Sequence, residues 1–176
     1  MVRSVISPDS SPLPALPELM REDGEQVELC VARHRLGQSR DREQLFRGIE
    51  EIVAAIVGSE EYAVFECDPV GGRLQVVSSV GVDPDWLELP TPDGRIEELV
   101  SRGEVWVAEN AAAVEAANDE LPLTACIPLR QGETITGAIA IFRLLPQKKN
   151  YMPVDHDLFR FLSTHAGAAM QATAGR

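Results

Sequence analysis

The fold is decided by the stretch "YAVFECDPVGGRLQVVSSVG", residues 62–81, in which two runs of β-forming residues flank a turn. The first run carries tyrosine, valine and phenylalanine around one glutamate, and the second alternates from Arg73 before it ends at Gly81. Asp68, Pro69 and the glycine pair between the runs are residue types that form turns. The stretch therefore predicts a β-hairpin.

A second hairpin is predicted by "LTACIPLRQGETITGAIAIFRL", residues 123–144, with its turn at Gln131-Gly132-Glu133. Residues 135–142 are almost continuously apolar, which is typical of a central strand that is covered on both faces. Gly137 and Ala138 leave room for another group to pack closely above this strand.

Two amphipathic helices are predicted on either side of the hairpins. In residues 39–59, Ser39 is a suitable N-cap and Gly58 a suitable end, and one face carries a periodic apolar stripe. In residues 151–172, Pro153 suits the first helical position and Asp155 the capping role. Gly167 and the alanines around it should let another backbone approach this second helix. The two stripes are Leu45, Ile49, Ile52, Val53 and Ile56, and Leu158, Phe161, Leu162, His165 and Ala169.

The segment between the hairpins, residues 82–122, mixes Pro, Asp and Gly with short helical and strand-like pieces. A helix is expected near 93–102, capped by Asp93 and ended by Gly103, with a strand at 104–109 and a helical turn from Ala111 to Asn118. The order helix, hairpin, insertion, hairpin, helix predicts a three-layer α+β fold. A central antiparallel sheet would carry the N- and C-terminal helices on one face and the insertion on the other.

The first 38 residues are predicted to lie outside this domain, which spans residues 39–174. Four prolines within residues 1 to about 20 indicate a mobile arm, either a linker or a docking peptide. Residues 24–37 fit both a helical stripe and a strand, and we favour a helix because the flanking charged residues are good helix formers.

Composition excludes several classes of function. The formal net charge is -12, which argues against nucleic acid and against anionic membrane surfaces, because both are bound by Lys and Arg. The three cysteines are far apart and form no CxxC, so no metal site is predicted. The N-terminal segment lacks the apolar core of a signal peptide, and no apolar run is long enough to span a membrane. We expect a cytoplasmic protein.

Four segments in this order resemble the GAF domain family. They are "AVFECDPVGGRLQVVSSVG", "VSRGEVWVAE", "TACIPLRQGETITGAIAIF" and "MPVDHDLFRFLSTHAGAAM". The resemblance covers residues 40–172 and implies a regulatory or sensory module. Members of the family bind cyclic nucleotides, tetrapyrroles, amino or keto acids, or only proteins, and they commonly dimerise through their terminal helices. The fold alone does not fix which of these applies.

One enzymatic branch of the family reduces free methionine sulfoxide with cysteines in its pocket. Cys126 lies roughly where that branch keeps a cysteine, but Ile127 follows it in place of an acidic residue, and segment 82–122 contains no cysteine. Cys67 lies beside Asp68, whose charge disfavours a thiolate. We therefore predict no catalytic residues and keep this enzyme as a distant alternative.

A small-molecule sensor is the nearer alternative, with its pocket between the sheet and segment 82–122. The family's cyclic-nucleotide signature is absent, the covering segment is acidic, and it offers neither a cysteine for a bilin nor a histidine for haem. No cofactor is predicted, although an unknown small molecule remains an alternative. Candidate pocket residues are Glu66, Ser78, Trp86, Trp106 and Arg143.

The leading hypothesis is a non-catalytic signal-transduction module that acts as a dimerising adaptor or regulator. If the two helical stripes are wider than one sheet can cover, a second subunit would bury the remainder. Residues Phe46, Ile52, Phe159 and Ala166 are the candidates for this interface. A homodimer through the terminal helices and a signalling-protein partner are therefore expected.

Overall fold

A computed structural model describes residues 16–87, 94–117 and 121–174, with side chains from residue 27 onward. A single antiparallel sheet lies between two helical layers, as the sequence predicts. The helices are α1 (Leu16–Gly37), α2 (Arg42–Ile52), α3 (Arg95–Arg102), α4 (Ala111–Ala117) and α5 (Pro153–Thr173). The strands are β1 (Ser59–Cys67), β2 (Leu74–Val80), β3 (Trp106–Val107), β4 (Ala125–Gln131) and β5 (Thr134–Leu144).

The sheet has the strand order β2-β1-β5-β4-β3, and every neighbouring pair is antiparallel. Both predicted hairpins form, β1–β2 and β4–β5. The apolar strand β5 lies at the centre, where Ile139 is opposite Val64 of β1 and Ile127 of β4. A strand with neighbours on both sides and layers on both faces needs apolar residues at nearly every position, which explains its sequence.

Helix α2 begins at a different cap from the one predicted. The side chain of Asp41, not Ser39, accepts a hydrogen bond from the Gln44 amide at 2.9 Å. Ser39 instead donates its hydroxyl to the carbonyl of Arg35 at 3.3 Å. After Ile52 the helix widens into one π-helical turn, Val53–Val57, which ends at Gly58 with φ +79°. The predicted end of the helix is thus confirmed, and its start is two residues later than expected.

One face of the sheet carries α2 and α5, as predicted. Their apolar stripes join the inward side chains of the sheet in a single buried cluster, the helix-face core, whose members include Leu45, Ile49, Tyr62, Ile139 and Leu162. Helix α5 has Pro153 at its start. The Met152 amide donates a 2.6 Å hydrogen bond to Asp155, which confirms the capping role of that carboxylate.

Helix α5 makes direct backbone contact with strand β4. A Cβ atom added at Gly167 would lie 2.3 Å from the amide nitrogen of Arg130 and 2.4 Å from its carbonyl oxygen. One turn earlier, the buried Ser163 donates its hydroxyl to the carbonyl of Pro128. The close approach expected at Gly167 is therefore made by a strand of the same chain.

The opposite face of the sheet is covered by the insertion. A second buried cluster, the insertion-face core, includes Phe65, Ala140 and Phe142 of the sheet together with Leu87 and Leu99. Leu87 ends a short 3₁₀ turn, Pro84–Leu87, and Leu99 lies in α3. The short helices α3 and α4 and the two-residue strand β3 lie close to their predicted positions in the sequence, but the buried Ala111 of α4 belongs to the helix-face core. Asp93, the predicted cap of α3, is outside the described residues.

Helix α1 packs on α2 and α5 and shares their core. Ala32 and Leu36 are buried in the helix-face core, and the Arg35 guanidinium pairs with Glu51 at 2.9 Å. The helix favoured for residues 24–37 is present, but it begins at Leu16, inside the segment predicted as a mobile arm. The rest of that arm, residues 1–15, lies outside the described residues. Among the helices that the structure describes, none has the length and apolar character to cross a membrane.

Candidate functional site

An open groove of about 760 Å³ lies on the insertion face of the sheet. The β1–β2 hairpin forms one wall, α3 forms the other, and Ile135 at the start of β5 closes one side. Its apolar lining comes from Leu74, Val100 and Ile135, and its polar lining from the remaining residues. The lining residues are Cys67, Gly72, Arg73, Leu74, Gln75, Glu97, Val100, Ser101 and Ile135.

Hydrogen bonds in the β1–β2 turn fix the conformation of the hairpin wall. The Asp68 amide donates to the carbonyl of Arg73 at 2.8 Å, and the Gly72 amide donates to the carbonyl of Asp68 at 2.9 Å. The Asp68 side chain accepts from the Val70 amide at 2.9 Å. Gly72 has φ +63°, a conformation that glycine adopts without strain. The turn thus presents Arg73 and the groove-lining backbone in one fixed arrangement.

The α3 wall is short and held at both ends by glycine. Gly94 and Gly103 both have positive φ, 63° and 69°, and the eight residues between them form the helix. Its inward side chains enter the insertion-face core, which leaves Ser101 on the groove side. The Ser101 hydroxyl donates to the carbonyl of Glu98 at 2.7 Å.

The cysteines of the sheet lack the properties of a redox pair. Burial, and then the charges of Asp68 and Glu66, raise the pKa of the half-buried Cys67 thiol above its ordinary value. Burial raises the pKa of Cys126 to about 12. Both thiols are therefore protonated at neutral pH, where the thiolate is the reactive form.

The positions of the two cysteines in the sheet also prevent a disulfide between them. Cys126 is opposite Ala140 of β5, whereas Cys67 follows Glu66, which is opposite Gly137. Four residues along a strand and two strand spacings correspond to roughly 16 Å, against the roughly 7 Å limit for the Cα atoms of a disulfide.

Two of the predicted pocket residues, Glu66 and Ser78, lie on the wrong face of the sheet. Glu66 accepts a hydrogen bond from the Arg42 guanidinium, and Ser78 donates to the Glu50 carboxylate, so both side chains point toward α2. In β1 the side chains alternate, which places Glu66 on the helix face and its neighbour Cys67 in the groove.

The other three predicted pocket residues do not line the groove either. Trp86 is 58% exposed on the 3₁₀ turn. Trp106 is half-buried beneath the Arg95 guanidinium, whose carbon lies 4.9 Å from the ring centre. Arg143 is neutralised by Glu61, with the Nε donating to the carboxylate at 3.0 Å. The groove lies between the sheet and segment 82–122, where a pocket was expected, but other residues form it.

The signal that marks the groove in the sequence is the hairpin turn itself. Asp68 and Pro69 begin the turn and Gly72 and Arg73 end it, and a turn that ends in a glycine and a cation positions both beside the first residues of β2. No such local signal marks Val100 and Ser101, because the face that a short helix presents depends on how it packs.

Three of the four predicted interface residues are part of the chain's own core. Ile52, Phe159 and Ala166 are at most 1% exposed in the single chain, so they are not available to a second subunit, and their assignment to an interface is wrong. The three residues belong to the helix-face core, together with side chains of the sheet and with Ala32 and Leu36 of α1. Phe46 keeps partial exposure, with the Arg42 guanidinium 5.2 Å from its ring centre.

The part of α1 that faces away from the core carries an apolar patch, which we call the outer face of α1. Val27 is 59% exposed and Val31 is 43% exposed, one helical turn apart. Cys30 between them is also exposed. Over the described residues, no group of three or more His, Cys, Asp or Glu side chains is arranged to hold a metal ion.

Comparison with known proteins identifies the fold. No protein-family model matches the sequence, and no curated protein matches it. Solved structures do. The GAF domain of a phosphoenolpyruvate-protein phosphotransferase from Coxiella burnetii is similar with a TM-score of 0.66 and 16% identity, over 86% of this chain and 95% of that one.

Two further structures from other bacterial proteins agree. The GAF domain of the potassium sensor histidine kinase KdpD from Escherichia coli has a TM-score of 0.56 and 17% identity, over 85% of this chain and 95% of that one. The GAF domain of nlh2 from A. aeolicus, in an inactive state, has a TM-score of 0.60 and 15% identity, over 86% and 98%. The chain therefore has a GAF-like fold.

Proposed function

We propose that this chain, whose fold is GAF-like, is a non-catalytic regulatory module that associates with a second copy and passes its state to a signalling protein in the cytoplasm. The similar structures come from a phosphotransferase and a sensor kinase, which is the setting expected of such a module. The observation that carries the proposal is the outer face of α1, where Val27 and Val31 lie in solvent.

The outer face of α1 is a suitable contact for a second copy. Val27 and Val31 are spaced so that they project from the same side of a helix, as coiled-coil contacts do. Fully burying a valine contributes about 1.5–3 kcal/mol, whereas association costs about 4–15 kcal/mol in lost freedom. The patch can therefore form the centre of a larger contact but not all of it. We expect a dimer that dissociates on dilution.

Electrostatics should oppose this dimer and give it a recognisable salt dependence. Each copy carries a net charge of -12, so two copies repel each other. Raising the ionic strength from about 0.01 M to about 0.15 M shortens the screening length from about 30 Å to about 8 Å. Added salt should therefore strengthen the dimer.

The proposal is tested by mass in solution across a dilution series, with light scattering or sedimentation as the readout. The double variant Val27→Ser and Val31→Ser removes the patch without changing the charge. Val70→Ser is the matched control, since Val70 is 95% exposed on the β1–β2 turn, away from α1. We expect dimer for the wild type and the control, and monomer for the double variant. A wild type that stays monomeric at every concentration and salt would refute self-association.

The non-catalytic part of the proposal rests on the cysteine chemistry. Neither Cys67 nor Cys126 has the lowered pKa that a catalytic thiol needs, and burial is the main cause for both. An assay of free methionine sulfoxide reduction, with the Cys67→Ser and Cys126→Ser variants, tests it. Turnover by the wild type that either substitution abolishes would replace the module with an enzyme.

A second candidate function, small-molecule sensing, is favoured by the groove. Its volume of about 760 Å³ lies within the range of about 300–1,000 Å³ that is usual for ligand sites. Arg73 offers hydrogen-bond donors beside an apolar floor, and the Ser101 hydroxyl, which donates to Glu98, can still accept a hydrogen bond there. A thermal-shift screen of a metabolite collection tests this function, with Ser101→Trp as the variant that fills the groove. A sensor should show stabilisation by a compound in the wild type and none in the variant. Absence of any shift in the wild type would count against sensing.

A further inference from the structure

The β4–β5 ladder contains a bulge at the edge of the groove. Leu129 is opposite Gly137 and Arg130 is opposite Ile135, so Thr136 has no residue opposite it in β4. Bulges redirect side chains and are common beside functional sites. Here the bulge places the Thr136 hydroxyl near the carbonyls of Leu129 in β4 and Gly167 in α5.

Ile135 and Thr136 are adjacent in the chain, and their side chains lie on opposite faces of the sheet. Ile135 lines the groove. Thr136 is buried on the helix face, where its hydroxyl lies 3.1 Å from the carbonyl of Leu129 and 3.3 Å from the carbonyl of Gly167 in α5. A displacement of Ile135 therefore acts directly on the contact between the sheet and α5.

Arg130 connects the other wall of the groove to the same place. Its Nη1 donates to the carbonyl of Gly103, at the end of α3, at 3.1 Å. The Cδ1 atom of Ile135 is 3.6 Å from the position of a Cβ at Gly103. The Arg130 backbone is the surface on which Gly167 of α5 lies. The end of α3, the bulge and α5 thus form one continuous set of contacts.

We infer that the bulge at Thr136 transmits occupation of the groove to helix α5. This inference rests on the proposed sensing function and names its output. An occupant that moves Ile135 or the end of α3 changes the Thr136–Gly167 hydrogen bond. Because Gly167 is in backbone contact with Arg130, α5 cannot absorb that change by rotating a side chain. The C-terminal half of α5 loosens or tightens instead, and α1, which packs on α5, receives the change.

The test uses an artificial occupant, so that it does not depend on a natural ligand. In a Cys30→Ser background, Cys67 is modified with benzyl methanethiosulfonate, which forms a mixed disulfide on the Cys67 sulfur and releases methanesulfinate. The benzyl group then lies in the groove. Hydrogen exchange is measured by mass spectrometry for two peptides, one from α5 covering 159–174 and one from α2 covering 42–52. We expect exchange in the α5 peptide to change by roughly threefold or more, with α2 unchanged.

Three controls make the result specific. The same label on Val70→Cys, with Cys67→Ser, lies on the hairpin turn outside the groove and should leave α5 unchanged. Thr136→Val removes the hydroxyl and should abolish the response of α5 to the Cys67 label, whereas Thr136→Ser should keep it. Arg130→Met removes the hydrogen bond to the carbonyl of Gly103, and the Arg130 side chain is partly exposed. This variant should weaken the response of α5 to the Cys67 label.

Two outcomes would overturn the inference. One is an α5 peptide that does not respond to the label on Cys67, or that responds equally in Thr136→Val. The other is an equal change in α2 and α5, which would indicate general loosening. Failure of the sensing function would give a different result. No metabolite would shift the melting temperature, but the α5 peptide of the labelled protein would still change its hydrogen exchange.

Discussion

The two faces of the sheet are covered in different ways. On the helix face, α5 touches the strands through its backbone, and a Cβ at Gly167 would lie 2.3 Å from an atom of β4. On the insertion face, a groove of about 760 Å³ remains between α3 and the β1–β2 hairpin. The same strands thus form a closed core on one side and an open site on the other.

The difference follows from the length of the covering elements. Helix α5 has 21 residues, long enough to cross the sheet, and small side chains on its inner side permit close contact. On the other face, α3 has only eight residues. A helix that short, joined to irregular chain, leaves part of a five-stranded sheet uncovered. We therefore expect substitutions on the helix face to have the larger effect on the free energy of unfolding. A ligand, where one binds, should occupy the groove on the insertion face.

The largest expected effect is that of Gly167→Ala on the helix face. The added methyl would meet the nitrogen, oxygen and carbonyl carbon of Arg130, all under 3 Å, so strand and helix must separate. We expect a loss of about 4 kcal/mol in the free energy of unfolding, above the usual 1–3 kcal/mol for overpacking. Denaturant unfolding followed by circular dichroism measures it.

Gly37→Ala is the control for this substitution. A Cβ at Gly37, the last residue of α1, would have nothing within 4 Å. The stability should change by less than about 0.5 kcal/mol there. Similar losses at both glycines would mean that α5 is not in close contact with β4.

The second-largest effect is expected for Lys148→Met, in the loop that precedes α5. The Lys148 ammonium group donates to Asp155 at 2.8 Å and to the carbonyl of Val57 at 2.5 Å. Asp155 is 1% exposed, so Lys148→Met would leave a buried carboxylate without its cation. We expect a loss of about 3 kcal/mol. The double variant Lys148→Met with Asp155→Asn should recover part of that loss. A double variant less stable than Lys148→Met would contradict this account of the pair.

A smaller effect is expected on the pH dependence of the free energy of unfolding. It can be compared at two cysteines on the insertion face, Cys126 in the core and Cys67 in the groove. Burial raises the pKa of Cys126 from 9.0 to about 12. The thiol therefore ionises in the unfolded chain first, and the folded state loses stability as the pH rises above about 9. For one such group the loss between about pH 8 and pH 10 is about 1.4 kcal/mol. Burial also raises the pKa values of Tyr62 and Tyr151, which adds to the loss at higher pH.

The measurement is the free energy of unfolding as a function of pH for three proteins. Cys126→Ala should flatten the decline between about pH 8 and pH 10, and Cys67→Ala should flatten it less, since that thiol is half-exposed in the groove. Identical slopes for the two variants would show that the two thiols are equally buried.

The sequence was sufficient for the architecture because periodicity reports which face of an element is buried. The stripe from Leu45 to Ile56 predicted α2, and the apolar run of residues 135–142 predicted a central strand. The order of the elements predicted the three layers, and the resemblance to GAF domains agreed with them. Each of these patterns extends over many residues, so one exception, such as the cap at Asp41 in place of Ser39, does not change the result.

The site was harder to predict because it depends on the direction of single side chains. Glu66 and Cys67 are neighbours, yet only Cys67 reaches the groove. In β2 a bulge beside Val77 changes the alternation, since Val64 is opposite Ser78 and Phe65 is opposite Val76. The sequence around Val77 does not mark this bulge. The predicted interface was wrong for a related reason, because the direction of the Ile52, Phe159 and Ala166 side chains places them in the helix-face core.

The last comparison makes one substitution, serine to alanine, on each face, and it includes the smallest effect that we expect. Ser163 is buried and donates to the carbonyl of Pro128, so Ser163→Ala removes a partner from a buried acceptor and should cost about 1–2 kcal/mol. Ser101 is exposed beside the groove and bonds within its own helix, where alanine has the better helix propensity. Ser101→Ala should therefore stay within about 0.5 kcal/mol of the wild type.

Chemical denaturation of both serine variants in one buffer gives the difference directly. Because the substitution is the same, side-chain size and intrinsic propensity nearly cancel, and the remaining difference reports how closely each face is covered. A loss at Ser101 as large as that at Ser163 would mean that the wall of the groove is part of the rigid core. Helix α3 would then move little when the groove is occupied. Without that movement, the transmission to α5 that we propose through Thr136 could not begin at this wall.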